Sequence, residues 1–145
     1  MNIYTTDKIR NVVLLGHGGS GKTSLAEAFG YLSGITSRMG KVDDGNTLSD
    51  YSKEEQKRHF SISTSVIPIE WEGYKINIID TPGYFDFVGE VEEAVSAAGA
   101  AIIVVHGKSG IEVGTQKAWE LCEKYKLPRF IYVSNMDVDN ASFRQ

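Results

Sequence analysis

Short apolar runs alternate along the chain with segments whose apolar residues recur every three or four positions. Residues 12–15 and 100–105 are wholly apolar, which is typical of strands buried on both faces of a parallel sheet. Residues 75–79 and 130–133 are two further strand candidates. Because helical patterns separate these strands, the sequence predicts an α/β fold.

Residues 61–71 form a different kind of strand candidate. This segment mixes Ser and Thr with Ile and Val, and it contains Pro68, which cannot donate a hydrogen bond to a neighbouring strand. Glu72-Gly73 then predicts a turn into residues 75–79. We therefore expect a mostly parallel sheet with one antiparallel edge strand.

Three helices are predicted, over residues 22–32, 87–98 and 115–125. The first places four apolar residues on one face: Leu25, Ala28, Phe29 and Leu32. Residues 33–59 form the one long segment without a clear element, and loops of that length are often functional.

Composition and charge narrow the class of protein. The chain has 145 residues, 41% of them hydrophobic, and a net charge of −4, which predicts a globular domain and argues against a general nucleic-acid binder, while a local patch could still contact RNA. The single Cys122 excludes an internal disulfide and is typical of a reduced, cytoplasmic setting. The longest wholly apolar run, residues 100–105, is too short to cross a membrane.

The strand at residues 12–15 leads into a sequence typical of a phosphate-binding loop. The pattern of Gly, four residues, Gly-Lys and Ser/Thr is met by Gly16-His17-Gly18-Gly19-Ser20-Gly21-Lys22-Thr23. In such loops backbone N–H groups converge on a phosphate at a helix N-terminus, the lysine reaches the β- and γ-phosphates, and the hydroxyl binds Mg²⁺. The nucleotide-binding candidates are therefore His17 (through its backbone alone), Gly18, Gly19, Ser20, Gly21, Lys22, Thr23 and Ser24.

A second loop, Asp80-Thr81-Pro82-Gly83, follows the strand at residues 75–79. A carboxylate at the end of a strand beside the phosphate-binding loop is where nucleotide-bound Mg²⁺ needs an acidic partner, so Asp80 is a metal-ligand candidate. The backbone N–H of Gly83 is a candidate contact for a γ-phosphate. Such a loop also occurs as a simple turn, but in this position it favours a GTPase over a nucleotide kinase or a generic ATPase.

Several motifs together resemble the GTP-binding domain of translation elongation factor G and its relatives, whose layout the tetracycline-resistance ribosomal protection proteins share. The matching stretches are Gly40-Lys41-Val42-Asp43-Asp44-Gly45, Arg58-His59-Phe60-Ser61-Ile62, Asn77-Ile78-Ile79-Asp80-Thr81-Pro82-Gly83 and Pro128-Arg129. The resemblance spans nearly the whole chain and is closer to a paralogue than to the main factor. It implies GTP and GDP as ligands, Mg²⁺ as the metal and the ribosome as partner.

The chain departs from this family at positions close to the chemistry. Tyr84 stands where the family has a His that positions the attacking water, and Gly18-Gly19 replace an apolar residue and Asp. Ser61 stands where the family offers a Thr hydroxyl to Mg²⁺, and it keeps the hydroxyl. The resemblance thus implies Lys22 and Tyr84 as catalytic candidates and Thr23, Ser61 and Asp80 as metal ligands.

The guanine-reading motif of the family, Asn-Lys-x-Asp, corresponds here to Ser134-Asn135-Met136-Asp137. The retained Asp137 carboxylate can accept hydrogen bonds from both guanine N1–H and N2–H. Each lost neutral contact is worth roughly 0.5–1.5 kcal/mol. Ser134, Asn135 and Asp137 are therefore expected to form a weakened guanine site.

These residues leave three functions open. The leading hypothesis is a GTP-hydrolysing domain of an elongation factor G-like factor, which changes its affinity for the ribosome with nucleotide state. The alternatives are a guanine-nucleotide-binding regulatory module with little hydrolysis, favoured by Tyr84 and Gly18, and an ATPase with relaxed base choice, favoured by Ser134 and Asn135. The charged run at residues 53–58 is expected to be a solvated helical face, with ribosomal RNA as the alternative contact.

The resemblance also sets an expectation about domain organisation. A helix N-cap at Asp139 or Asn140 is followed by only about one turn of chain. The family's domain continues with a helix and a strand, and then with further domains. Residues 1–145 are therefore expected to be the N-terminal part of a GTP-binding domain, monomeric and without a DNA or membrane partner.

Overall fold

The computed structural model describes residues 2–49, 52–58, 61–83, 88–139 and 141. Within these residues the strands are β1 (Ile9–Gly16), β2 (Ser65–Trp71), β3 (Tyr74–Asp80), β4 (Ala100–His106) and β5 (Arg129–Ser134). The helices are α1 (Lys22–Leu32), α2 (Lys53–Arg58), α3 (Val88–Ala97) and α4 (Val113–Lys124), with a 3-10 turn at Thr6–Lys8. No helix in this part of the chain has the length and apolar character needed to span a membrane.

The five strands form one sheet in the order β2-β3-β1-β4-β5. β1 pairs in parallel with β3 and β4, and β4 pairs in parallel with β5. β2 pairs antiparallel with β3, through the turn at Glu72-Gly73, and lies at the edge of the sheet. The predicted α/β fold with a mostly parallel sheet and one antiparallel edge strand is confirmed.

The central strand β1 is covered on both faces. Val13 and Leu15 pack in one cluster with α3 and α4, and Leu14 packs in a second cluster with α1, β2 and β3. All three side chains are at most 1% exposed. The strand therefore carries the loop that follows it on a rigid, three-layered core.

The structure corrects two predictions, the start of β2 and the apolar face of α1. β2 begins at Ser65 and not at residue 61. Residues 61–64 instead make contacts outside the sheet, because the Ser61 hydroxyl contacts Thr23 on α1 and the Thr64 N–H donates to the Glu90 carboxylate on α3. The charged run at residues 53–58, expected to be helical, forms α2 within the segment at residues 33–59, because its straight-chain residues have good helix propensity.

The predicted apolar face of α1 is wrong at one end, because Leu32 is 67% exposed whereas Glu27 on the same helix is buried. β5 is a strand as predicted, but it lies at the other edge of the sheet, where Phe130 and Ile131 are exposed. Of the predicted helix N-cap, Asp139 lies in a turn, and Asn140 is outside the described residues, as are residues 142–145.

Candidate nucleotide-binding site

The phosphate-binding loop connects the buried strand β1 to α1, as its sequence predicts. Gly16 has a φ of +140°, and a Cβ built there would lie 2.4 Å from the carbonyl oxygen of Val104 on β4. Gly21, immediately before α1, has a φ of +93°. Both positions require glycine. Since the N-cap residue Gly21 has no side chain to cap α1, the first N–H groups of the helix face the loop and favour an anion there.

Lys22 is folded back into this loop. Its Nζ donates hydrogen bonds to the carbonyl oxygens of Gly16 at 3.1 Å and His17 at 2.9 Å. Burial lowers the pKa of the amine from 10.5 to about 8, and the nearby Asp80 carboxylate opposes that shift. The loop thus holds a buried cation where a phosphate chain would provide its missing counter-charge.

The three predicted metal ligands come together from three segments of the chain. The Thr23 hydroxyl on α1 donates to Oδ2 of Asp80 at 2.8 Å, and it lies 3.1 Å from the hydroxyl oxygen of Ser61. Asp80 ends β3 and is 1% exposed, and Ser61 is 9% exposed. A carboxylate and two hydroxyl oxygens are hard ligands of the kind that Mg²⁺ prefers, so the donor set fits this ion.

Residues 81–83 are packed tightly against the phosphate-binding loop. The Thr81 hydroxyl donates to the carbonyl oxygen of Leu14 at 2.6 Å, which fixes the turn after β3 to the central strand. A Cβ on Gly83 would lie 2.5 Å from Lys22 Nζ and 2.7 Å from the Cα of Gly18. Gly83 is therefore close enough for its backbone to share a ligand with the loop, and its contact with a γ-phosphate stays a prediction.

A cleft of about 420 Å³ lies between these elements. Its lining combines residues predicted from sequence (Gly18, Gly19, Gly21, Lys22, Thr23, Ser24, Ser61, Gly83) with Thr81 and with residues 39–43. We call residues 39–43 the 39–43 wall. Sequence reasoning placed this segment in a functional loop but assigned it no contact.

The candidate guanine-reading residues lie beside the phosphate-binding loop. The buried Ser134 hydroxyl lies 2.6 Å from the carbonyl oxygen of Ser20 and donates to it, which ties the end of β5 to the loop. Asn135 follows with a φ of 51°, and its Oδ1 is 3.8 Å from the place of a Cβ on Gly21. Asp137 is exposed two residues later. The role of these residues in base recognition stays a prediction.

His17 and Tyr84 are the two remaining predicted residues. The His17 ring contacts the start of α4, where its Nδ1 accepts a hydrogen bond from the Gly114 N–H at 3.3 Å and its Nε2 lies 3.6 Å from Glu112. Tyr84, the second catalytic candidate, lies outside the described residues. Glu27 was missed, because a charged residue on a helix carries no signal of burial in the sequence alone.

Comparison with known proteins identifies the family. The model of the elongation factor Tu GTP binding domain matches residues 7–145. Ribosome-releasing factor 2, mitochondrial, of Drosophila ananassae is 39% identical over 140 residues, which cover 97% of this chain and 19% of that protein. The same factor of Rattus norvegicus is 38% identical over 136 residues, covering 94% of this chain and 18% of that protein.

A solved structure supports the same assignment. A protein from Thermus thermophilus is 42% identical, with a TM-score of 0.87, over 90% of this chain and 20% of that one. The chain thus spans about a fifth of the length of the relatives it matches. The resemblance to elongation factor G-like GTP-binding domains is confirmed. The chain belongs to the elongation factor Tu GTP binding domain family, a family of translational GTPase domains.

Proposed function

We propose that this chain binds GTP and GDP with Mg²⁺ and hydrolyses GTP, as part of a factor that acts on the ribosome. The observation that carries the proposal is the meeting of Thr23, Ser61 and Asp80 beside a buried lysine and a phosphate-binding loop. The relatives named ribosome-releasing factor 2 support the ribosome as partner. Their length also supports the domain assignment of residues 1–145 as the N-terminal part of a GTP-binding domain.

The proposed site divides the work among the described residues. The backbone of residues 18–24 binds the phosphates, Lys22 neutralises charge on the β–γ bridge, and Asp80, Thr23 and Ser61 hold the metal. When bound, Mg²⁺ supplies charge neutralisation on the phosphate oxygens. Ser61 and Gly83 belong to different loops, and in this proposal both contact the bound GTP and its metal. We therefore expect GTP to order both loops and hydrolysis to release them.

The compartment follows from the partner in this proposal. The Drosophila and Rattus relatives are mitochondrial by name, whereas the sequence predicts a cytoplasmic protein. We propose that the chain acts in whichever compartment holds the ribosomes that its factor serves. The single thiol, Cys122, is buried in the core, which suits a reduced compartment of either kind.

Base choice is the first test of this proposal. We expect GTP and GDP to bind more tightly than ATP, and Asp137→Asn to reduce that preference roughly tenfold or more, because a charged acceptor for two guanine donors is lost. Titration of the three nucleotides into the chain measures it. Asp139→Asn, which removes another exposed carboxylate two residues away, serves as the control. Equal affinity for ATP and GTP would contradict the proposal and favour the alternative of an ATPase with relaxed base choice.

The alternative of a regulatory module with little hydrolysis has its own support in Tyr84. A phenol with a pKa near 10 can orient a water but is a poor match for the family's His. We expect Tyr84→His to increase single-turnover GTP cleavage in the presence of ribosomes, with cleavage without ribosomes as the reference. If the tyrosine form already cleaves GTP as fast as the histidine form with ribosomes, the alternative fails.

A further inference from the structure

Glu27 lies on α1 one helical turn after Thr23 and is 1% exposed. A carboxylate buried in this way is costly unless it is paired or hydrogen-bonded. The position is not explained by the apolar pattern of α1, and the proposed chemistry does not use the residue. Its contacts therefore have to account for its burial.

Both oxygens of Glu27 accept hydrogen bonds from backbone N–H groups of the segment that includes the 39–43 wall. Oε2 accepts from the Gly40 N–H at 3.1 Å, and Oε1 accepts from the Leu48 N–H. A Cβ on Gly40 would lie 2.7 Å from Oε2, so the backbone passes directly over the carboxylate. One side chain on α1 thus closes the base of a loop, which we call the 40–48 loop.

The 40–48 loop is also folded on itself between those two contacts. The N–H of Gly45 donates to the carbonyl oxygen of Val42 at 3.0 Å, and the N–H of Asp44 donates to that of Lys41 at 3.2 Å. The Lys41 N–H donates to Oδ1 of Asn46 at 2.7 Å. Because the loop is closed by its own hydrogen bonds, the contacts of Glu27 at residues 40 and 48 also fix the position of the residues between them.

The outer side of the 40–48 loop faces the nucleotide cleft. Residues 39–43 line the cleft together with the phosphate-binding loop. The same helix that carries Thr23 in the metal site therefore carries the carboxylate that holds this wall. The two functional parts of the cleft share one rigid support.

We propose that Glu27 is a positioning residue that holds the 39–43 wall against α1 and thereby sets how long a nucleotide stays in the cleft. Glu27 does not touch the cleft and acts through the backbone of the 40–48 loop. The inference rests on the proposed function, since it concerns the residence time of the same nucleotide.

The test compares the release of a fluorescent GDP analogue from the wild-type chain, Glu27→Gln and Glu27→Ala. Glutamine keeps one carbonyl oxygen as an acceptor, whereas alanine removes both. We expect release to be roughly tenfold faster in Glu27→Gln, which corresponds to one lost charged hydrogen bond, and faster still in Glu27→Ala. Amide hydrogen exchange without nucleotide should speed up at Gly40 and Leu48 in the same order.

A matched control separates positioning from general stability. Val95→Ala opens space in the other core cluster, away from the 40–48 loop, and destabilises the whole domain. We expect it to leave GDP release within about twofold of wild type at a comparable loss of unfolding free energy. Release that is unchanged in both Glu27 variants, or equally fast in Val95→Ala, would overturn the inference alone. A wild-type chain that binds no guanine nucleotide would instead overturn the proposed function, and the inference with it.

Discussion

The variant Lys22→Met is expected to be more stable than the wild-type chain without nucleotide, yet to lose most of its nucleotide affinity. Burial lowers the pKa of the amine to about 8 against the attraction of Asp80, and a displacement of that size from 10.5 corresponds to a net cost of roughly 3 kcal/mol for keeping the amine charged in the folded chain. Methionine has a similar length and no charge. Two carbonyl oxygens lose a donor in the exchange, so we expect a net gain of about 1–2 kcal/mol in the free energy of unfolding.

The pH dependence of this gain has a definite sign. The pKa of Lys22 is lower in the folded chain than in the unfolded chain, so between pH 8 and 10.5 the unfolded chain binds more protons. Wild-type stability should therefore rise through this range as the buried amine loses its charge. The advantage of Lys22→Met is full below pH 8 and shrinks above it.

Urea unfolding at pH 7 and at about pH 9.5 measures the difference in stability between Lys22→Met and the wild-type chain. Titration of GTP measures the loss of affinity, which we expect to be roughly hundredfold or more. Lys108→Met, at an exposed lysine, is the control and should change neither quantity. A Lys22→Met chain that is less stable at pH 7, or whose advantage is the same at both pH values, would contradict the role assigned to burial.

The second large effect is expected from Asp80→Asn. Asp80 is the one carboxylate among the proposed metal ligands, so its loss should weaken Mg²⁺ binding to the nucleotide complex by roughly tenfold to a hundredfold. The affinity for GDP in the presence of a chelator should change far less, because the phosphate-binding backbone remains. The same exchange removes the negative charge that raises the pKa of Lys22, so that pKa should fall further.

Titration of Mg²⁺ into the GDP-bound chain, with the heat of binding measured by calorimetry, tests this expectation. Mn²⁺ can replace Mg²⁺ in the same titration. Asp7→Asn, an exposed carboxylate far from the cleft, is the matched control. An Asp80→Asn chain with the Mg²⁺ affinity of the wild type would remove Asp80 from the metal site. A loss of GDP affinity as large with the chelator as with Mg²⁺ would instead indicate a collapse of the loop.

Local geometry explains which parts of the site could be predicted. The phosphate-binding loop depends on glycines at residues 16 and 21, whose positive φ values are a local property of the backbone that glycine adopts readily. The loop is therefore encoded in a short stretch of sequence, and so is the strand that carries it. Asp80 and Gly83 were found for the same reason, since the end of a strand beside β1 is fixed by the βαβ pattern.

At the candidate guanine-reading residues the motif and the tertiary contacts carry different information. Ser134 was predicted as a substituted base contact, and the structure gives its hydroxyl a partner in the phosphate-binding loop, the carbonyl oxygen of Ser20. The sequence motif indicates which residues lie near the base. It does not indicate how a single hydroxyl is divided between supporting a loop and reading a base.

The sequence by itself thus determined the fold class, the phosphate-binding loop and the acidic residue that follows β3. The tertiary structure decided the contact of Ser61 with Thr23 over 38 residues, the 39–43 wall and the burial of Glu27 beneath it. The physical reason is that periodicity reports only which face of an element is apolar. Whether a charged residue on that element is buried depends on backbone donors that arrive from distant parts of the chain, as those of Gly40 and Leu48 do here.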